Sequence, residues 1–90
     1  MADWEIYILR CADKSLYTGI TTDITRRVHE HNFNNKLAAA YTRSRRPVTL
    51  VYNEPVPSRS RALKREHEIR RLSRNQKEFL IKNGKLPDRR

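Results

Sequence analysis

Two short β-rich runs, Trp4–Arg10 and Ser15–Thr21, stand only four residues apart, and this spacing constrains the fold more than any other feature of the chain. A connection as short as Cys11–Lys14 joins antiparallel neighbours, because parallel strands need a crossover of about a dozen residues or more. On the first run Tyr7 shares a face with Glu5 and Leu9; on the second, Tyr17 shares one with Gly19. Odd positions pairing with odd put both tyrosines on one face, and a one-residue slip separates them. Gly19 leaves that face bare beside Tyr17, a gap for a ligand or another backbone.

Beyond the hairpin, Thr22-Asp23 offers an N-cap to a helix over Ile24–His31. Arg27 and His31 are then four apart and neighbours on one face. Residues 32–46 are polar and basic and read as a loop with a helical turn around Leu37–Ala40. A third strand, Val48–Tyr52, follows Pro47 and is stopped by Pro55 and Pro57. Ser58 or Ser60 caps a helix running to about Leu72. Ser73 with Gln76 forms a capping box for a last helix, docked by Phe79, Leu80 and Ile81 and ended by Gly84. The class expected is α+β: a small three-stranded antiparallel sheet flanked by helices, in the order ββαβα plus a C-terminal helix. One domain spans residues 1–84, with a basic tail at 85–90.

Charge narrows the function. The chain carries 20 Lys+Arg against 10 Asp+Glu, a net +10. Residues 1–24 hold two basic and four acidic side chains, residues 26–46 six and one, and residues 59–90 twelve and four. This is the footprint of a polyanion binder, with nucleic acid the leading partner. Arg26, Arg43, Arg45, Arg46, Arg70, Arg71 and Arg74 are the candidates to track a phosphate backbone. A solvated basic surface is the plainer reading of the same charge. The lone Cys11 excludes an internal disulfide, and no Cys/His set has zinc spacing. No apolar run approaches membrane-spanning length and no leader pattern is present, so a cytoplasmic setting is expected.

One carboxylate stands out. At about 100° per residue, Ala62, Leu63, Ile69 and Leu72 fill roughly a half-circle of their helix. Glu66 falls inside that arc, whereas Glu68 falls well outside. A carboxylate facing a core must be paired with a cation or bound to a metal. Periodicity leaves both open, since this helix is rich in arginine.

With these residues placed, the chain resembles the GIY-YIG nuclease superfamily, especially its small stand-alone bacterial members. Residues 4–32 carry most of the likeness, through Glu5-Ile6-Tyr7, Tyr17-Thr18-Gly19 and Arg26-Arg27-Val28-His29-Glu30-His31. The stretch Ala62-Leu63-Lys64-Arg65-Glu66 is similar to the helix that holds the superfamily's metal-binding glutamate. Glu5 replaces the Gly of the motif name, Thr18 replaces Ile or Val, and Ile20 stands where some members carry a lysine. Neither of the first two changes removes a catalytic group.

The resemblance implies metal-dependent hydrolysis of a phosphodiester, on DNA more than RNA, of repair or recombination type. The implied catalytic set is Tyr7, Tyr17, Arg27, His31 and Glu66. Glu66 would hold Mg²⁺ or Mn²⁺, Arg27 would face the phosphate, and a tyrosine would manage the proton of the attacking water. An unperturbed tyrosine is a weak base at pH 7 and needs a proton acceptor such as His31. A non-catalytic nucleic-acid-binding module with the same fold is the alternative. A protein–protein adaptor for an acidic partner would explain the charge but not the spaced tyrosines. The site residues also have plainer readings, as strand aromatics, solvated arginines and a helix-end histidine.

Overall fold

The computed structural model describes residues 3–87. Its elements are β1 (Trp4–Arg10), β2 (Leu16–Thr21), α1 (Ile24–Phe33), α2 (Ala40–Arg43), β3 (Thr49–Val56), α3 (Arg59–Arg70) and α4 (Arg74–Asn83). The three strands form one antiparallel sheet in the order β2-β1-β3, the α+β arrangement expected.

The hairpin register pairs Tyr7 with Gly19 and Leu9 with Tyr17, so odd meets odd and the tyrosines share a face. Lys14, at φ 72°, turns the chain between the strands, and Asp13 Oδ1 accepts from the Ser15 amide at 3.0 Å. On the face of β1 that carries Ile6 and Ile8, these residues pack with Val56, Ala62, Ile69 and Leu80 in a wholly aliphatic cluster. On the opposite face Tyr7 and Leu9 pack with Cys11 and Val48, bordered by Tyr17, Ile24, Val28 and Leu50.

Caps explain most helix boundaries. Asp23 accepts from the Arg26 amide, Ser58 from the Arg61 amide, and the Ser73–Gln76 box is complete in both directions. Gly84, at φ 77°, ends α4 in the left-handed conformation.

Several expectations need correcting. β3 continues past Tyr52 and through Pro55 to Val56. It is an edge strand, where a residue without an amide N–H is tolerated. The helical turn lies at Ala40–Arg43 and not at Leu37–Ala40. The Asn34 side chain takes the amides of Lys36 and Leu37, both at 2.9 Å, and shapes a turn there instead. Leu63 and Phe79 carry core-facing spacing, yet they are 39% and 40% exposed. Ala62, Ile69 and Leu80 are the helical residues wholly buried in the contact, with Leu72 and Ile81 packed at its border. Leu86, in the stretch expected to be a loose tail, rests against the aliphatic cluster. The end of that stretch, 88–90, lies outside the described residues.

Candidate active site

A chain of hydrogen bonds runs inward from β1. The Tyr7 hydroxyl lies 2.8 Å from His31 Nε2, and His31 Nδ1 lies 2.8 Å from Thr42 Oγ1. Thr42 Oγ1 in turn donates to the Ala39 carbonyl at 3.0 Å. Tyr7 is 1% exposed, and His31 and Thr42 are wholly buried. Buried polar groups without partners are costly, and here each finds one.

Secondary structure positions each member. β1 turns Tyr7 toward α1, and α1 carries Arg27 and His31 one turn apart. Asn32 clamps the end of α1 to the start of β3, donating to the Val48 carbonyl at 3.0 Å and accepting from the Val48 amide at 2.7 Å. Arg46 Nε donates to the His31 carbonyl at 2.7 Å and its Nη1 to Asn35 Oδ1 at 2.8 Å.

The gap expected at Gly19 is filled from within. A Cβ added there would stand 2.5 Å from the Tyr7 hydroxyl oxygen and 2.6 Å from its Cζ. The glycine therefore makes room for Tyr7 and not for a ligand. Tyr17, half-buried, lies beside it with ring centroids 6.4 Å apart and meets His31 edge-on at 5.3 Å. Its other neighbour is Tyr41, stacked at 5.9 Å and itself covered by the Arg45 guanidinium at 3.9 Å.

Electrostatics bind these groups together. Burial pushes the Tyr7 phenol up to about 12, helped by Tyr17 and opposed by Arg27 beside it. Burial also raises Tyr17, with Arg27 and Arg70 lowering it and Glu66 raising it. Burial, then the Arg27 charge, lowers His31 to about 4, which leaves it neutral at pH 7. Arg27 is steadied by donating to Glu30 Oε1 at 2.9 Å and to the Leu37 carbonyl at 2.7 Å.

Glu66 acts on both phenols and is only partly exposed. The other carboxylates of this helix region have cations: Arg65 takes Glu54 and Glu68, while Arg10 and Arg74 take Glu78. Among the described residues Glu66 has no salt bridge, so the arginine-paired reading of this residue finds no support. Also among the described residues, no three His, Cys, Asp or Glu gather as a multidentate metal cage.

The structure thus gathers Tyr7, Tyr17, Arg27, His31 and Glu66, the whole implied set. It spreads the basic candidates more widely. Arg70 lines a cavity of about 170 Å³ beside Tyr17, with Leu16, Thr18, Tyr41 and Lys77. Arg26 bonds Glu30, Arg45 bonds Asp13, and Arg74 bonds Glu78 and the Lys14 carbonyl. Arg43 stays exposed while donating to the Asn35 carbonyl at 3.2 Å, and Arg71 is exposed at the end of α3. Arg46 departs furthest from a phosphate-tracking role, since its guanidinium is turned inward to hold α1. Thr42, Glu30 and Tyr41 escaped sequence reasoning. Thr42 and Tyr41 sit in a basic stretch with no periodicity to orient them, and Glu30 was one charge on a polar helix.

The antiparallel sheet thus presents paired tyrosines, to which α1 adds an arginine and a histidine and α3 a carboxylate. Residues 3–79 match the model of the GIY-YIG catalytic domain, and the chain belongs to that family. It is 57% identical over 79 residues to a UPF0213 protein of Desulfotalea psychrophila, covering 88% of this chain and 71% of that one. A UPF0213 protein of Natronomonas pharaonis is 52% identical over 80 residues, covering 89% and 92%. The solution NMR structure of a UPF0213 protein from Bacillus halodurans superposes with TM-score 0.56 at 43% identity, covering 88% of this chain and 82% of that one. The chain thus carries a nuclease-type domain, a class that acts on nucleic acid. Among the described residues, no helix is long and apolar enough to cross a membrane.

Proposed function

We propose that this protein is a divalent-metal-dependent endonuclease that hydrolyses phosphodiester bonds in nucleic acid, DNA before RNA, in repair or recombination. The observation that carries this reading is the buried Tyr7–His31 hydrogen bond at 2.8 Å, flanked by Arg27 and by Glu66, which has no salt bridge among the described residues. A buried phenol hydrogen-bonded to a neutral imidazole has a path along which its proton can pass to the ring, and this supports a proton-transfer role for Tyr7.

In this reading the attacking water gives a proton to the Tyr7 oxygen as the Tyr7 proton passes to His31 Nε2. A new oxygen–phosphorus bond forms, the bond to the leaving alcohol breaks, and that alkoxide takes a proton from solvent. With the phenol near 12 and the imidazolium near 4, transfer inside the resting pair is steeply uphill. The two proton movements therefore accompany the attack and do not precede it. Arg27 offers its planar fork to the phosphate. Tyr17, more exposed than Tyr7, meets water and substrate directly.

A half-buried carboxylate without a cation fits a hydrated hard ion that needs few protein ligands. Glu66 would hold Mg²⁺ or Mn²⁺, and such an ion supplies positive charge at the phosphate and leaving oxygen.

The test is a nicking assay on branched and single-stranded DNA and on RNA, with Mg²⁺ or Mn²⁺. Glu66→Gln keeps the side-chain shape without the charge and should lower cleavage at least about 100-fold, as losing a charge-stabilising group does. A variant that cuts like wild type removes Glu66 from the reaction. Tyr7→Phe should cost more than Tyr17→Phe, and the opposite order would exchange their roles. Tight binding by wild type with no cutting of any substrate would make the protein a binding module.

A further inference from the structure

We propose that Thr42 is a positioning residue that holds His31 in the one tautomer able to take a proton from Tyr7; the proposal rests on the nuclease reading above. Tyr7 is 1% exposed, so its O–H needs a protein acceptor. Its polar neighbours are His31 Nε2, at 2.8 Å, and Arg27, which can only donate. Nε2 must accept, and in a neutral ring the proton then sits on Nδ1.

That proton needs an acceptor as well, and Nδ1 faces Thr42 Oγ1 at 2.8 Å. A hydroxyl could meet Nδ1 as donor or as acceptor. With Nδ1 carrying the proton, Oγ1 accepts there, and the Thr42 hydrogen goes to the Ala39 carbonyl at 3.0 Å, which also takes the Thr42 and Arg43 amides. Every bond then points the same way: Tyr7 to His31, His31 to Thr42, Thr42 to Ala39. The opposite tautomer would strand the phenol hydrogen in a buried site.

The segment around Thr42 is pinned on three sides. The Ala12 amide donates to the Arg45 carbonyl at 2.9 Å, Arg45 bonds Asp13, and Arg46 bonds the His31 carbonyl. The hydroxyl is therefore delivered to Nδ1 by the chain and not by a mobile loop. When His31 gains the proton on Nε2, Thr42 still accepts from Nδ1, so the imidazolium keeps both hydrogen bonds.

The test compares wild type with Thr42→Val, which matches the shape without the hydroxyl, and Thr42→Ser, which keeps it. Imidazole ¹⁵N shifts report the tautomer directly, whether or not the protein cuts. Wild type and Thr42→Ser should show His31 protonated on Nδ1. Thr42→Val should shift toward Nε2–H, because Nδ1–H loses the hydroxyl that accepts from it. In cleavage, Thr42→Val should lose roughly 10- to 100-fold in kcat at unchanged KM, less than the roughly 100- to 10,000-fold that a general acid–base group itself contributes, with Thr42→Ser restored to within about three-fold. Nε2–H in wild type would overturn the assignment, as would Thr42→Val keeping Nδ1–H or full kcat. If Thr42→Val fails to fold, the wild-type and Thr42→Ser shifts still decide it. A wild type inert on every substrate but Nδ1-protonated would sink the nuclease reading and leave the tautomer assignment standing.

Discussion

The two faces of the sheet solve burial in opposite ways. Around Ile6 and Ile8 the fully buried cluster is aliphatic, completed by Val56, Ala62, Ile69 and Leu80. Across β1, Tyr7 and Leu9 share their side with a buried histidine and a buried threonine. Aliphatic packing is non-directional and tolerates exchange among side chains of similar volume. The polar face allows no such exchange, since Tyr7, His31 and Thr42 are linked in one chain of hydrogen bonds and a substitution at any of them strands a partner. One face is built to hold the domain together, and the other spends stability on geometry.

This contrast can be broken by experiment. Ile8→Ala should bring the largest stability loss, about 2–5 kcal/mol in urea unfolding, as expected for a fully buried aliphatic side chain. Activity per folded molecule should survive. A loss below about 1 kcal/mol would mean the aliphatic face is not the stabilising one.

Gly19→Ala comes next. The new methyl would collide with the Tyr7 hydroxyl, and the ring cannot swing away without breaking its bond to His31. Overpacking of this kind costs roughly 1–3 kcal/mol, and cleavage should fall by more than the stability change explains. Wild-type cutting by this variant would show that Tyr7 needs no fixed position.

The smallest effect separates the faces along the pH axis. Burial lowers His31 from 6.5 to about 4 in the folded chain. The unfolded chain therefore takes up this proton first as pH falls. Stability from the neutral ring is full above pH 6.5 and drains away between 6.5 and about 4. Glu78, on the helix that covers the aliphatic face, is held near 2 chiefly by its hydrogen bonds from Arg10. Its support is present above 4.5 and is lost from there down to about 2. Thermal midpoints measured from pH 8 to 2 should show two separate declines, and a flat profile between 6.5 and 4.5 would contradict the buried neutral histidine.

Much of this was legible in the residues. Alternation along Trp4–Arg10 and Ser15–Thr21, with so short a turn, was enough to put Tyr7 and Tyr17 on one face. Helical spacing singled out Glu66, and the caps at Asp23, Ser58, Ser73 and Gly84 marked element ends chemically. What escaped depended on contacts between distant segments. Whether Gly19 opens a gap depends on where the Tyr7 ring lies across the hairpin. Leu63 and Phe79 carry the right period, yet each stays about two-fifths exposed. Arg46 looks like its basic neighbours until the His31 carbonyl appears beside it. Thr42 stood in a stretch without periodicity, so no pattern could aim its hydroxyl at a histidine eleven residues back.

The middle position of β1 has a consequence for synthesis. A ribosome that has released residues 1–46 has delivered Tyr7, Tyr17, Arg27, His31 and Thr42, so most of the site exists as chain. β3 has not begun, and the inner edge of β1 stays unpaired until Thr49–Val56 emerges. The aliphatic face waits longer still, for Ile69 and finally Leu80. A two-stranded hairpin is marginal by itself, and an open strand edge is a template for mispairing. The nascent chain therefore passes through an interval with its chemistry present and its hydrophobic side bare, and this is when a chaperone would have most to cover.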